Sequence, residues 1–462
     1  MSTVDDPGAL TLVRGGTVLA GTELAVRPHA DLWVRGSRIE AITVKGERAP
    51  PAGCAVIEAD GHIVMPGLID THRHVWQTPL RGLGADLTAP EYRHGLREKV
   101  APHYQPDDVF AATLAGIAEA LDCGITTILD WAHIMNSPAH ADASVAALRA
   151  SGARAVFGHG APNDAEAASW WSNSDRPHPQ DARRIRSEVL ADDGALVTMA
   201  LAARAPHLVQ PQVMRHDWAL ARELGLRIVV DGGIGGGLWG KRSYPLRQLR
   251  DAALLGPDTT YVHCNNLEDD EYAAIAESGG CVSLSPCAEM HVGFGMPATG
   301  RVLAHGIRPS LSVDYVTQVA GDMFSTMRAI LATERAVRGR QAFEAGHGVE
   351  PWTLWTRDVL EFATVRGAAA LGLSHRTGAL VPGLQADLVL IDTRSLRLSP
   401  VNDPIATVVL YANPGDVAAV MVAGRWVKVG SKLLSVDAER VRREVVSARD
   451  RLLSRSGLVR TA

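Results

Sequence analysis

The chain has 462 residues, 46% of them hydrophobic and 21% charged, with a formal net charge of −5, which suits a globular protein with room for a large α/β barrel and an accessory domain. The acidic balance leaves no electrostatic footprint for nucleic acid or an anionic membrane surface, and no run of about 18 or more apolar residues marks a membrane span. The N-terminus MSTVDDPGAL lacks a charged-then-apolar leader, and the five cysteines are odd in number and without CxxC spacing, so a cytoplasmic protein with reduced thiols is expected, not a disulfide framework or a thiolate zinc site.

In chain order, the first 60 residues read as short strands, Leu10 to Val13, Leu32 to Val34, Ile39 to Val44 and Val56 to Ala59, separated by Gly, Pro and Asp turns. An apolar run, Ile63-Val64-Met65, then passes through Pro66-Gly67 into Leu68-Ile69, a strand that ends at Asp70-Thr71-His72-Arg73-His74. Residues two apart on a strand point to the same side, so His72 and His74 offer two imidazoles to one point. That is a chelate geometry for Zn, Fe, Co or Ni.

Strand-like runs then recur at Thr126 to Leu129, Ala153 to Phe157, Leu196 to Leu201, Arg227 to Val230, Tyr261 to His263, Val282 to Leu284 and Pro309 to Val313, with helical patterns between them. With the strand before His72 these make eight β units, which predicts a closed (β/α)8 TIM-type barrel completed by a helix-rich segment, Met323 to Leu371. Strands return at Ala386 to Ile391, Ala418 to Val422 and Gly424 to Val427. Neither terminal group is large enough to be stable alone, so both ends are expected to form one small composite β-sandwich. The predicted division is 1–66 plus 376–435 for the sandwich and 67–375 for the barrel. Residues 436–462 are expected to form a C-terminal helix whose arginines, Arg440 to Arg455, alternate with acids along a solvated face.

Polar residues stand where barrel strands should end: His72, His74, Asp130, His159, His207, Asp231, His263, Ser285 and Asp314. That rim is free to do chemistry, whereas interior positions are packing layers. Trp76, Trp131, Trp170, Trp171 and Trp239 fall on the same rim segments and suggest walls for a flat or apolar small molecule, although Trp170-Trp171 would also suit a contact between subunits. The glycine run at 232–237 has no following Lys-Ser/Thr, so it reads as a flexible lip and not a phosphate cradle. His133, His159 and His291 read as loop residues without a catalytic part, Asp130 as a tie between barrel loops, and Cys264 as a buried thiol that nothing activates.

In this ordered series the sequence resembles the amidohydrolase superfamily, and within it the cytosine-deaminase-like and triazine-hydrolase-like branch. The resemblance rests on Asp60 to His74 with Gln77 and Leu80-Arg81-Gly82, on Gly124-Ile125-Thr126-Thr127, on Val262-His263-Cys264, on Val282-Ser283-Leu284-Ser285-Pro286, on Gly306 to Asp314, and on Gly378 to Val389. It implies one divalent metal ion, zinc or else iron or manganese, held by His72, His74, a histidine on strand five and Asp314. It further implies that Asp314 moves the proton while His263 orients the nucleophile or polarises the attacked bond. Substrate contacts are assigned to Trp76, Gln77, Trp131, His207 and Asp231.

The strand-five position holds Asp231 where the family has histidine, and the glutamate that often follows is lost within the glycine run. Asp231 either completes the metal site or replaces it by binding substrate. Glu289, after strand seven, either supplies the proton shuttle or is a solvated loop carboxylate. The function expected is that of a metal-dependent hydrolase, a deaminase or amidohydrolase cleaving a C–N bond of a small heterocyclic, aromatic or amide-like substrate. The alternative is a metal-free lyase, isomerase or cyclase of the same fold that uses Asp231, His263 and Asp314 as acids and bases. A homodimer or higher homo-oligomer is expected in either case.

Overall fold

The computed structural model describes residues 8–234 and 243–458. The N-terminal strands are β1 (Leu10–Ala20), β2 (Ala25–Arg35), β3 (Arg38–Val44), β4 (Ala55–Glu58) and β5 (His62–Pro66). The barrel strands follow as β6 (Leu68–Arg73), β7 (Ile125–Ala132), β8 (Arg154–His159), β9 (Val197–Ala203), β10 (Arg227–Gly232), β11 (Thr259–His263), β12 (Cys281–Leu284) and β13 (Ser310–Leu311). They lie side by side in that order, all parallel. Every residue of β6, β7 and β8 is buried, as the two covered faces of a parallel sheet require.

The last strand is shorter than the Pro309 to Val313 expected, because beyond Leu311 the chain turns its hydrogen bonds towards the first strand. Asp314 N donates to His72 O at 2.9 Å and His74 N to Asp314 O at 2.7 Å. Those two bonds close the barrel. Buried Asp70 braces the same corner, accepting from Val313 N at 3.1 Å, His72 N at 3.3 Å and Arg73 Nε at 2.8 Å.

The chain ends supply β14 (Leu388–Asp392), β15 (Val417–Val422), β16 (Arg425–Val429) and β17 (Lys432–Leu433), which join the N-terminal strands in the order β17-β16-β15-β14-β5-β1-β2-β3, with β4 beside β1. Pairing of β14 with β5 fuses the two terminal groups. Val13, Val18 and Leu32 share one core with Leu388, Leu390 and Met421, so each group covers apolar surface that the other would leave in water. One buried ion pair ties this unit to the barrel: Arg154 at the start of β8 donates to Asp387 at 2.6 and 3.0 Å.

The C-terminal helix, Ala438–Ser456, is not solvated along its whole arginine face. Arg451 and Arg455 both bond to Asp108, whose carboxylate is buried on the helix Pro106–Asp122. A carboxylate in that position needs positive partners, and the helix supplies them.

Candidate active site

Three strand ends and one turn converge at the C-terminal mouth of the barrel. The i, i+2 spacing on β6 aims the imidazoles of His72 and His74 to one side, as the sequence pattern predicts, and β10 brings Asp231, β11 brings His263, and the turn after β13 brings Asp314. His72 Nε2 lies 3.4 Å from Asp314 Oδ1 and 3.7 Å from Asp231 Oδ1, His74 Nε2 lies 3.3 Å from Asp314 Oδ1, and His263 Nε2 lies 3.7 Å from Asp314 Oδ2. The ligand atoms of His72, His74 and Asp231, and likewise those of His72, His263 and Asp314, fall within 4.8 Å of one another.

The backbone is strained where it presents these groups. His263, Cys264 and Asp314 have φ of 71°, 60° and 75°, left-handed values that non-glycine residues adopt at a cost of roughly 1–3 kcal/mol each. The surrounding hydrogen bonds hold them there: Cys264 N donates to Gly232 O at 2.7 Å, and Asp314 is fixed by the barrel-closing pair.

The electrostatics match a cation-binding cluster. Both nitrogens of His72, Oδ1 of Asp231 and both oxygens of Asp314 are buried without a hydrogen-bond partner. Burial pushes His72 down to about 4 and His74 well below its usual range, keeping both imidazoles neutral. Burial also raises the Asp314 carboxyl to about 7. Unpaired acceptors removed from water in this way cost several kcal/mol unless a cation or proton joins them. His74 is set in one tautomer because Nδ1–H donates to Trp131 O at 3.0 Å, which leaves Nε2 as the free acceptor. Two imidazoles and two carboxylates therefore fit one divalent cation.

Glu289 is not a solvated loop carboxylate. The chain turns helical at Pro286–His291, and its first turn buries Glu289 behind His263. There Oε1 accepts from Ser285 N at 2.8 Å and lies 3.2 Å from His263 Nδ1, while Oε2 accepts from Asn265 Nδ2 at 3.1 Å. Burial alone would lower His263, but the bond to Glu289 and the charges of Asp314 and Glu289 carry it up to about 9. The carboxylate thus faces the imidazole and is absent from the lining of the cavity.

That cavity opens over the cluster. Trp131, His207 and Asp231, three of the residues expected to contact substrate, line it. Trp76 and Gln77 do not line it and are corrected here to supporting residues. The strand ends at Arg73 and a helical turn starts at Val75, so the alternation that would bring Trp76 to the front stops before it. Trp76 is fully buried behind His133, to whose Nδ1 its indole N–H donates at 3.3 Å, and Gln77 exchanges hydrogen bonds of 2.6 and 2.8 Å with the Tyr92 hydroxyl.

His133, expected to have no part in the site, lines the cavity with its ring 4.2 Å from that of His74. Trp171 is also on the wall. Trp170 lies outside it, against Arg204 and Arg176. Trp239 and Gly235 to Gly237 of the expected lip lie outside the described residues. Tyr92, Arg93, Arg97, Phe294 and Tyr315 complete much of the wall; in the sequence Arg93 and Arg97 look like an ordinary charged helix face, and nothing marks the aromatics. Asp130 accepts from Val75 N at 3.3 Å and Ser144 Oγ at 3.1 Å, joining the loop after β6 to the following helix. Cys264 is fully buried and its thiol is held well above the usual range by burial.

Comparison with known proteins places this arrangement in context. The profile described as "Amidohydrolase family" matches residues 63–427. A 5-methylthioadenosine/S-adenosylhomocysteine deaminase of Symbiobacterium thermophilum is 30% identical over 433 residues, covering 90% of this chain and 93% of the relative. Among solved structures, an adenosine deaminase from Xanthomonas campestris with bound zinc superposes with a TM-score of 0.81 at 23% identity, over 97% of this chain and 100% of that one. An atrazine chlorohydrolase from Arthrobacter aurescens complexed with zinc gives a TM-score of 0.81 at 19% identity, over 95% and 100% of the two chains. At those identities the two structures speak for the fold alone.

Proposed function

The chain belongs to the amidohydrolase family, and from that premise we propose that it hydrolyses a non-peptide C–N bond in a small heterocyclic, aromatic or amide-like molecule with the help of one divalent cation, as a deaminase or amidohydrolase. The observation that carries this reading is the set of unpartnered buried acceptors on His72, Asp231 and Asp314. In it, Asp231 takes the strand-five ligand position alongside His72, His74 and Asp314. Zinc is the metal favoured by this donor set, with iron and manganese suiting the same oxygens and nitrogens.

When bound, the cation supplies Lewis acidity that brings the pKa of a water towards neutrality. The protein's own groups handle the protons and the charge. Asp314 accepts a proton at Oδ2 and returns it to the departing nitrogen, a task suited to a carboxyl that burial has raised towards neutral pH. His263, charged and held from behind by Glu289, offers its Nε2–H to the substrate atom that gains negative charge. Trp131 and Trp171 wall the cavity and keep bulk water from that proton. A cytoplasmic location and a homo-oligomeric state belong to the same proposal. No helix among the described residues is long and apolar enough to cross a membrane.

The test is elemental analysis of protein purified without chelator, alongside His72→Ala. About one divalent ion per subunit is expected in the wild type, with loss of metal and a fall in turnover of at least about 10²-fold in the variant. A fully active, metal-free wild type would overturn the proposal.

A further inference from the structure

Besides the carboxylates of the ligand cluster, the cavity wall carries donors of opposite sign. Asp231 and Asp314 belong to the cluster, and Arg93 donates to Glu98 at 3.0 Å and to Trp171 O at 3.2 Å. Glu98 is taken up by Arg93 and His94. Arg97 is different. It lines the cavity, its Nε is buried without a partner, and among the described residues its side chain makes no hydrogen bond or ion pair. Its guanidinium carbon stands 5.6 Å from the centre of the Trp171 ring, a cation–π contact that leaves its N–H donors without an acceptor among the described residues.

A guanidinium stripped of water on one edge and given no acceptor pays a desolvation cost that a bound anion would offset. A second donor stands on the same wall. His133 Nδ1 lies 3.3 Å from the Trp76 indole N–H, which can only donate, and 3.4 Å from the Trp131 carbonyl, which already accepts from His74 Nδ1–H at 3.0 Å; the indole bond therefore makes Nδ1 the acceptor and places the imidazole proton on Nε2. That Nε2 is buried and unpartnered, and His133 lines the cavity. The rest of the wall is largely aromatic, with Trp131, Trp171, Phe294 and the stacked pair Tyr92 and Tyr315, whose ring centres are 5.0 Å apart.

We propose that the substrate is a flat molecule carrying one carboxylate-class anionic group, which docks on the Arg97 guanidinium beside His133 Nε2–H while its scissile C–N bond lies at Asp314. A singly charged group is specified because Arg97 is the cation left without a protein partner, whereas Arg93 is already engaged. The assignment deepens the hydrolase reading above and rests on it for the position of the scissile bond.

The experiment compares two isosteric probes, 2-naphthoate and neutral 2-acetylnaphthalene, by ligand-observed NMR titration of chelator-treated and zinc-reloaded protein. The wild type is expected to bind the carboxylate about tenfold more tightly than the ketone in both preparations. Arg97→Met removes that preference while leaving ketone affinity unchanged, and Arg97→Lys restores part of it. Equal affinity for the two probes in the wild type, or a preference that survives in Arg97→Met, would overturn the proposal. A preference confined to zinc-reloaded protein would place the carboxylate on the metal and overturn it equally. The hydrolase reading fails separately, through metal analysis and turnover, because binding to the chelator-treated protein needs neither.

Discussion

His263 is held by a carboxylate that does not line the cavity. Glu289 accepts from Ser285 N and Asn265 Nδ2 while facing His263 Nδ1, so its own position is fixed by two donors before it fixes the ring. Replacing Glu289 by Gln keeps the size but removes the charge that favours the imidazolium. Steady-state kinetics of Glu289→Gln are expected to show kcat lowered about 10- to 100-fold with KM little changed. A residue that merely filled space would leave the two parameters unchanged or move them together. Tyr92 is supported in a similar way, its hydroxyl held by Gln77 and its ring stacked on Tyr315. These indirect supports determine how well the cavity keeps its shape.

The entry to β6 shows how tightly one element can be packed. Gly67 joins β5 to β6, and a Cβ there would lie 2.0 Å from Thr126 Oγ1 and 2.4 Å from its Cγ2. Gly67→Ala must push β6 away from β7, and chemical denaturation should register a loss of about 1–3 kcal/mol with metal content falling in parallel. The regular elements were readable from sequence because burial writes itself into them: eight apolar runs of the right period, each ending in a polar residue, gave both the barrel and the His72, His74, Asp231, His263 and Asp314 set. Reading failed where regular alternation stops. Trp76 and Gln77 turn away in the helical turn after Arg73, and Glu289 is folded under His263 by a turn of helix that a Ser-Pro start signals only weakly. Arg97 escaped notice because the segment Glu91–Arg97 is as charged as any surface helix, and the closing of a cavity over it is a property of tertiary structure.

At the scale of the molecule, a buried ion pair is one of the ties between barrel and composite sheet. Asp387 is fully committed, accepting from Arg154 Nε and Nη2, Thr377 Oγ1 and Ala423 N. Arg154→Met strands that carboxylate in the interior and should destabilise the protein by about 3–5 kcal/mol in denaturant titration. Arg154→Met/Asp387→Leu should regain part of the loss, since removing both charges leaves none unpaired. The closing bonds of the barrel have a consequence for how the protein is made. Asp314 N to His72 O and His74 N to Asp314 O stitch the seam through the same residues whose side chains form the ligand cluster. A chain emerging from the ribosome shows its two first-strand histidines long before Asp314 exists, and until the seam shuts they are a bidentate fragment with little hold on any ion. On the proposed ligand set, loading would wait until the seam shuts, and an ion held there would join the two strands where the cylinder would otherwise reopen.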